Sequence, residues 1–164
     1  SRPAVSSSIP VVDALSVKIV AASSDTTRKS LHSPCGLALL LEARNPATGE
    51  STHRGSREQG GCFHVKDRGL VIISLCSEAD IVHTVERAID ASGVKRVHAI
   101  LGGIHVTPTG EAAIRRTVSA LEAYDPDVIA PTLCSGTALM AAVGAQMADR
   151  LLVSTIGMEI AFGA

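Results

Sequence analysis

The sequence predicts a single α/β domain in which helices and sheet pack in layers. Three observations carry that prediction. From Cys62 onward, short apolar runs alternate with helix-length amphipathic stretches. The chain has 164 residues, enough for one domain with a real core. Hydrophobic residues make up 46% of it and charged residues only 19%, which excludes a disordered chain.

Two strands open the chain. Ala14–Ala22 alternates, with Leu15, Val17, Ile19 and Ala21 on one side and Ser16 and Lys18 on the other. Gly36–Ala43 carries a continuous apolar run, the pattern of a strand covered on both faces. Asn45–Gly49 reads as a turn, and Glu50–Gly61 is the most linker-like stretch. Cys62–Val65 and Leu70–Leu75 flank a tight Lys66-Asp67-Arg68-Gly69 turn and predict a hairpin. Asp80–Ala91 reads as a helix capped by Asp80, with Ile81, Val85, Ala88 and Ile89 inward and Gly93 at its end.

Val97–Leu101 predicts a buried strand running into Gly102-Gly103. Glu111–Tyr124 predicts a helix with Ile114, Val118 and Leu121 inward and Arg115, Arg116 and Glu122 outward, stopped by Asp125-Pro126. Val128–Ala130 is a short strand, Thr137–Met147 a third helix, and Leu151–Ser154 and Glu159–Phe162 two closing strands. Residues 1–164 thus form one domain. Its N-terminal strands occupy 1–53, a linker 54–61, and the C-terminal α/β half 62–164.

Composition also narrows function. The formal net charge is -1 and aromatics are 2%, so the chain lacks both the basic patch and the stacking platforms of a nucleic-acid binder. No apolar run approaches the roughly 18–20 residues of a membrane span. Ser1–Ile9 is small and polar, without the apolar core of a secretory leader. The four cysteines show neither a C-x-x-C pair nor zinc-finger spacing. Together these predict reduced thiols in a cytoplasmic protein. His83 and His98 read as surface or edge residues.

In open α/β sheets, chemistry collects beyond the carboxyl ends of strands. Three such ends carry polar groups: Cys76-Ser77-Glu78, Gly102-Gly103-Ile104-His105, and Thr132-Leu133-Cys134-Ser135. A thiol beside an imidazole is the minimum nucleophilic unit, and a carboxylate can orient the imidazole. Cys134 is the stronger nucleophile candidate, because Ser135, Gly136 and the helix starting near Thr137 can lend backbone N–H groups to it. Cys76 is the second candidate, His105 the base and Glu78 the orienter. Gly102, Gly103, Ser135 and Gly136 are the candidate substrate-binding residues. The plainer alternatives are two cysteines buried as packing residues and a core histidine satisfied by a carbonyl.

These residues also carry a resemblance. Gly69–Ser77, Ile81-Val82, Thr84-Val85 and Val97–His105 resemble the C-terminal half of metallo-β-lactamase-fold hydrolases. The subgroup is that of dihydropterin phosphate synthase-like and general metal-dependent hydrolases. Asp125-Pro126-Asp127, Pro131-Thr132, Cys134, Gly136 and Ser154–Gly157 continue the match, and Ile9–Asp13 with Gly36–Glu42 resemble the first two strands. The resemblance implies a shortened αββα sandwich with mixed sheets.

Two departures bear on chemistry. The family's H-x-H-x-D-H metal motif is absent: His32, His53, His64, His83, His98 and His105 include no H-x-H pair. Where the family has further histidines after Cys-Ser and after Pro-Thr, this chain has Glu78 and Leu133. The chain therefore resembles a family member shortened in its middle, and no cofactor is expected, zinc included. The function expected is a metal-independent hydrolase with a cysteine nucleophile, acting on a small activated acyl or peptide-like substrate. A non-catalytic binding module and a residual single-metal hydrolase are the alternatives. A shortened sandwich leaves strand edges and an apolar sheet face in need of cover, so a homodimer is expected.

Overall fold

The computed structural model describes residues 9, 11–22, 37–44, 51–54, 61–74, 80–106, 110–132, 135–155 and 157–163. Two sheets face each other, and three helices lie against the outside of one of them. The larger sheet has five strands: β1 (Val11–Val12), β5 (Gly61–Val65), β6 (Gly69–Ser74), β7 (Val97–Gly102) and β8 (Val128–Pro131), in that order. It is mixed. β5 and β6 form the expected antiparallel hairpin, with Asp67 in the left-handed region at its turn, while β6, β7 and β8 run parallel. The smaller sheet has the order β4 (Ser51–Arg54), β3 (Leu37–Arg44), β2 (Ala14–Ala22), β9 (Glu159–Gly163) and is antiparallel throughout.

Burial follows the period-2 pattern of the sequence. Leu15 and Val17 of β2 point inward and meet Val71, Ile73, Ala99, Leu101, Ala130 and Phe162 between the sheets. The opposite face of β6, β7 and β8 presents Leu70, Ile72, Ile100 and Ile129 to the helices. Every residue of β6 is buried, as a central strand covered on both sides requires.

Helix α1 (Ile81–Ser92) begins where Asp80 Oδ1 accepts from the Val82 N–H at 3.1 Å and ends at Gly93, whose left-handed conformation returns its N–H to Ile89 O at 2.8 Å. It buries Ile81, Val85 and Ala88, and each of the two larger side chains contributes about 1.5–3 kcal/mol of burial. Helix α2 (Glu111–Ala123) buries Val118 and Leu121, and Asp125-Pro126 ends it as expected. Helix α3 (Thr137–Gln146) buries Leu139 and Val143.

Two expectations change. Leu151–Ser154 is not a strand: Leu151 makes one isolated parallel bridge to Ile129. Ile129 N–H donates to Arg150 O and Leu152 N–H to Ile129 O, but the next rung needs an N–H from Pro131, which has none. The Ser154 hydroxyl donates to Pro131 O instead, at 3.2 Å. Second, the start of the linker-like stretch is strand β4, paired from Arg44↔Ser51 to Leu41↔Arg54 as a hairpin with β3. Where β2 meets β9, the Ser16 hydroxyl donates to Glu159 at 2.5 Å.

The helices all belong to the core on the five-stranded sheet, so the described residues form an αββ stack. Cys35 and the Ser23–Pro34 segment lie outside the described residues. No helix among the described residues is long and apolar enough to cross a membrane.

Candidate functional site

Strands β6, β7 and β8 run parallel, so their carboxyl ends lie side by side. Gly102 at the end of β7 is the hub. Its φ is +105°, and a Cβ there would stand 1.8 Å from Ser74 O on β6. The next residue, Gly103, donates its N–H to that same carbonyl at 2.8 Å. On the other side Gly102 O accepts from Thr132 N–H at 2.9 Å and from the Ser135 hydroxyl at 3.4 Å. The absent side chain of Gly102 is thus demanded by strand apposition.

Ser135 is 8% exposed and joins two loops. Its Oγ accepts from the Ile104 N–H at 2.9 Å, while its own N–H donates to Thr132 O at 2.8 Å. Both of its polar groups are therefore engaged within the protein. The clamp ties the segment carrying His105 to the loop that enters α3. Gly136, exposed at φ +78°, is the N-cap residue of α3 and has no side chain with which to cap it. His105 is exposed, which overturns the alternative of a buried core histidine. Cys76, Glu78, Leu133 and Cys134 lie outside the described residues. Cys62 is half-buried against the helix-side core, and burial pushes its thiol up to about 12, so it is an inert packing residue.

A cleft of about 280 Å³ opens beside His105. Asp80 and Val82 from the start of α1, His105 and Val106 from the loop after β7, and Ala113, Arg116, Thr117 and Ala120 of α2 line it. Arg116 is exposed, as the sequence predicts, and borders this cleft. The i, i+3, i+4, i+7 spacing of Ala113, Arg116, Thr117 and Ala120 puts two small residues around one cation on a single helix face.

At the opposite end of the parallel strands, His98 is not a free surface residue. Its Nδ1 lies 2.6 Å from Asp127 Oδ2, and its ring meets Phe162 edge-on at 5.5 Å, pinning the two sheets together. Arg96 adds a two-oxygen contact to Asp127 at 2.9 and 3.0 Å and donates Nε–H to Arg68 O at 2.9 Å. Burial opposes ionisation of Asp127. The His98 hydrogen bond and the Arg96 charge outweigh it, holding the carboxyl below the usual carboxylate range.

The fold and these strand-end loops define a class. A crystal structure of a metal-dependent hydrolase of the β-lactamase superfamily superposes with a TM-score of 0.58 at 20% identity, over 74% of this chain and 46% of that one. The chain has the metallo-β-lactamase fold. A particular relative is the 7,8-dihydropterin-6-methyl-4-(beta-D-ribofuranosyl)-aminobenzene-5'-phosphate synthase of Methanocaldococcus jannaschii, 35% identical over 76 residues. That match takes in 46% of this chain and 26% of the relative, so the chain spans about a quarter of the synthase it matches. No protein-family model matches the chain. The resemblance read from the sequence stands in both comparisons.

Such a fold implies metal ions, and the residues can be tested for them. Among the described residues no three of His, Cys, Asp and Glu stand together in a way that could hold an ion. Leu133 brings no donor atom to the position after Pro-Thr. The described residues by themselves therefore assemble no metal centre of the family's kind.

Proposed function

We propose that this chain is a metal-independent hydrolase of small activated acyl or peptide-like substrates, working with a cysteine nucleophile. The observation that supports it is the Ser135 clamp. Ile104 and Ser135 are hydrogen-bonded partners, and His105 and Cys134 are their immediate chain neighbours. In this reading the Cys134 thiol gives its proton to His105 and its sulfur attacks the acyl carbon. The leaving group departs with the proton from His105, and water then hydrolyses the thioester. Gly136 and the first turn of α3, which Gly136 itself cannot cap with a side chain, supply N–H groups to the oxyanion. Glu78 orients the imidazole, Ser135 holds the loop from behind, and Cys76 is the reserve nucleophile.

The test is turnover of p-nitrophenyl acetate and of a peptide anilide by wild type, Cys134→Ala, Cys76→Ala and His105→Ala. Cys134→Ala and His105→Ala should each lower kcat/KM by at least about 10²-fold, iodoacetamide should abolish turnover, and a chelator should leave it unchanged. Loss of activity on chelation would favour a single-metal hydrolase. Absence of turnover on either substrate would favour a binding module built around the cleft beside His105.

The same reading includes a homodimer. β4 and β9 are the outer strands of the smaller sheet, and each offers a backbone edge that a second copy can pair with. Light scattering at micromolar concentration should give about twice 16.9 kDa; the mass of a single chain would defeat this part.

A further inference from the structure

We propose that the cleft beside His105 is a binding site for a small organic anion, a carboxylate or phosphoryl compound held by Arg116. The inference rests on the preceding reading only in placing the anchored substrate next to His105. Arg116 has no acidic partner among the described residues, whereas its neighbour Arg115 pairs with Glu111 one turn away. A planar guanidinium with no acidic partner among the described residues, standing at the wall of a concave site, suits a two-oxygen contact from an incoming anion. Thr117 stands on the same helix face and can add a hydroxyl donor.

The rest of the wall sets the size and character of the ligand. Ala113 and Ala120, one turn to either side of the Arg116-Thr117 pair, are small enough to leave room. At about 280 Å³ the space sits just below the common range of ligand pockets, roughly 300–1,000 Å³, and takes one small ring or short chain. Asp80 spends one carboxylate oxygen on the start of α1 and keeps a second for a donor on the ligand. The cleft also lies beyond the carboxyl ends of β6 and β7, where ligands collect in parallel sheets.

The probes are benzoate and phenyl phosphate, with benzyl alcohol as their uncharged counterpart, titrated into the full chain and followed by backbone amide NMR shifts. Both anions should saturate, with the largest shifts around Val106, Arg116 and Thr117, and benzyl alcohol should not. The tighter of the two anions names the class. Arg116→Gln should weaken binding by about tenfold or more, while Arg115→Gln, the same charge change one residue away, should stay within about twofold. Failure of both anions to saturate, equal binding of benzyl alcohol, or equal losses in the two arginine variants would overturn the proposal. Cys134→Ala separates the two readings: it should abolish turnover and leave benzoate binding intact. If that variant still hydrolyses acyl esters, the thiol mechanism falls and the anion site stands.

Discussion

Replacing Gly102 by alanine should cost the fold about 3 kcal/mol or more, the largest loss expected from any single added methyl group here. Two penalties combine. The backbone at φ +105° lies where L side chains rarely go, and the new Cβ would fall 1.8 Å from Ser74 O, a backbone atom that cannot swing aside. Relief requires β6 and β7 to separate. That would break the Gly103 N–H bond to Ser74 O and disturb the Thr132 and Ser135 bonds to Gly102 O. For a domain of this size, 3 kcal/mol corresponds to a fall in Tm of roughly 6–12 °C, read by circular dichroism. Gly144→Ala is the matched control. It lies inside α3 and meets only the flexible end of Leu151 at 3.3 Å, so gained helix propensity offsets the crowding. A Gly102→Ala melt within about 2 °C of wild type would show that the strands tolerate the methyl group.

The elements most legible in the sequence were those where local signals agree. α1 is bounded by Asp80 and Gly93, and its apolar residues recur at helical spacing, so pattern, cap and stop all pointed one way. The β5–β6 hairpin was equally plain, because turn residues separate two apolar runs. The supposed strand at Leu151–Ser154 failed for a non-local reason: its ladder needed an N–H from Pro131, more than twenty positions earlier in the chain. β4 failed in the opposite sense, since a polar stretch with weak strand propensity is held by backbone pairing to β3.

At the candidate site, the contacts of individual residues depend on partners far away in the chain, which no local pattern shows. The serine in Thr132–Gly136 looked like a ligand contact, and its burial between two carbonyls and an amide belongs to the tertiary fold alone. His98 looked peripheral because its partners, Asp127 and Phe162, come from distant parts of the chain. Arg116 is exposed as its helix pattern predicts, and the cleft it borders cannot be seen from one helix.

Ser135→Ala should cost about 1–3 kcal/mol, and the damage should concentrate at the loop after β7. The hydroxyl is buried and accepts from the Ile104 N–H at 2.9 Å; alanine leaves that buried amide without its acceptor. Gly102 O loses only the longer of its two contacts and keeps Thr132 N–H, so the β7–β8 pairing survives. The side chain of Ile104 stays anchored in the helix-side core, which limits how far the loop can move. The variant should therefore fold, with a Tm lowered by roughly 2–12 °C. Its distinctive mark is in amide hydrogen exchange: Ile104 should lose far more protection than core amides such as Ile100 and Ile129. If the thiol mechanism holds, kcat should fall with that protection while benzoate binding at Arg116 changes little, because the cleft wall on α2 does not depend on the clamp. Unchanged exchange at Ile104 would show that Ser135 does not tie the two loops together, and the support for pairing His105 with Cys134 would go with it.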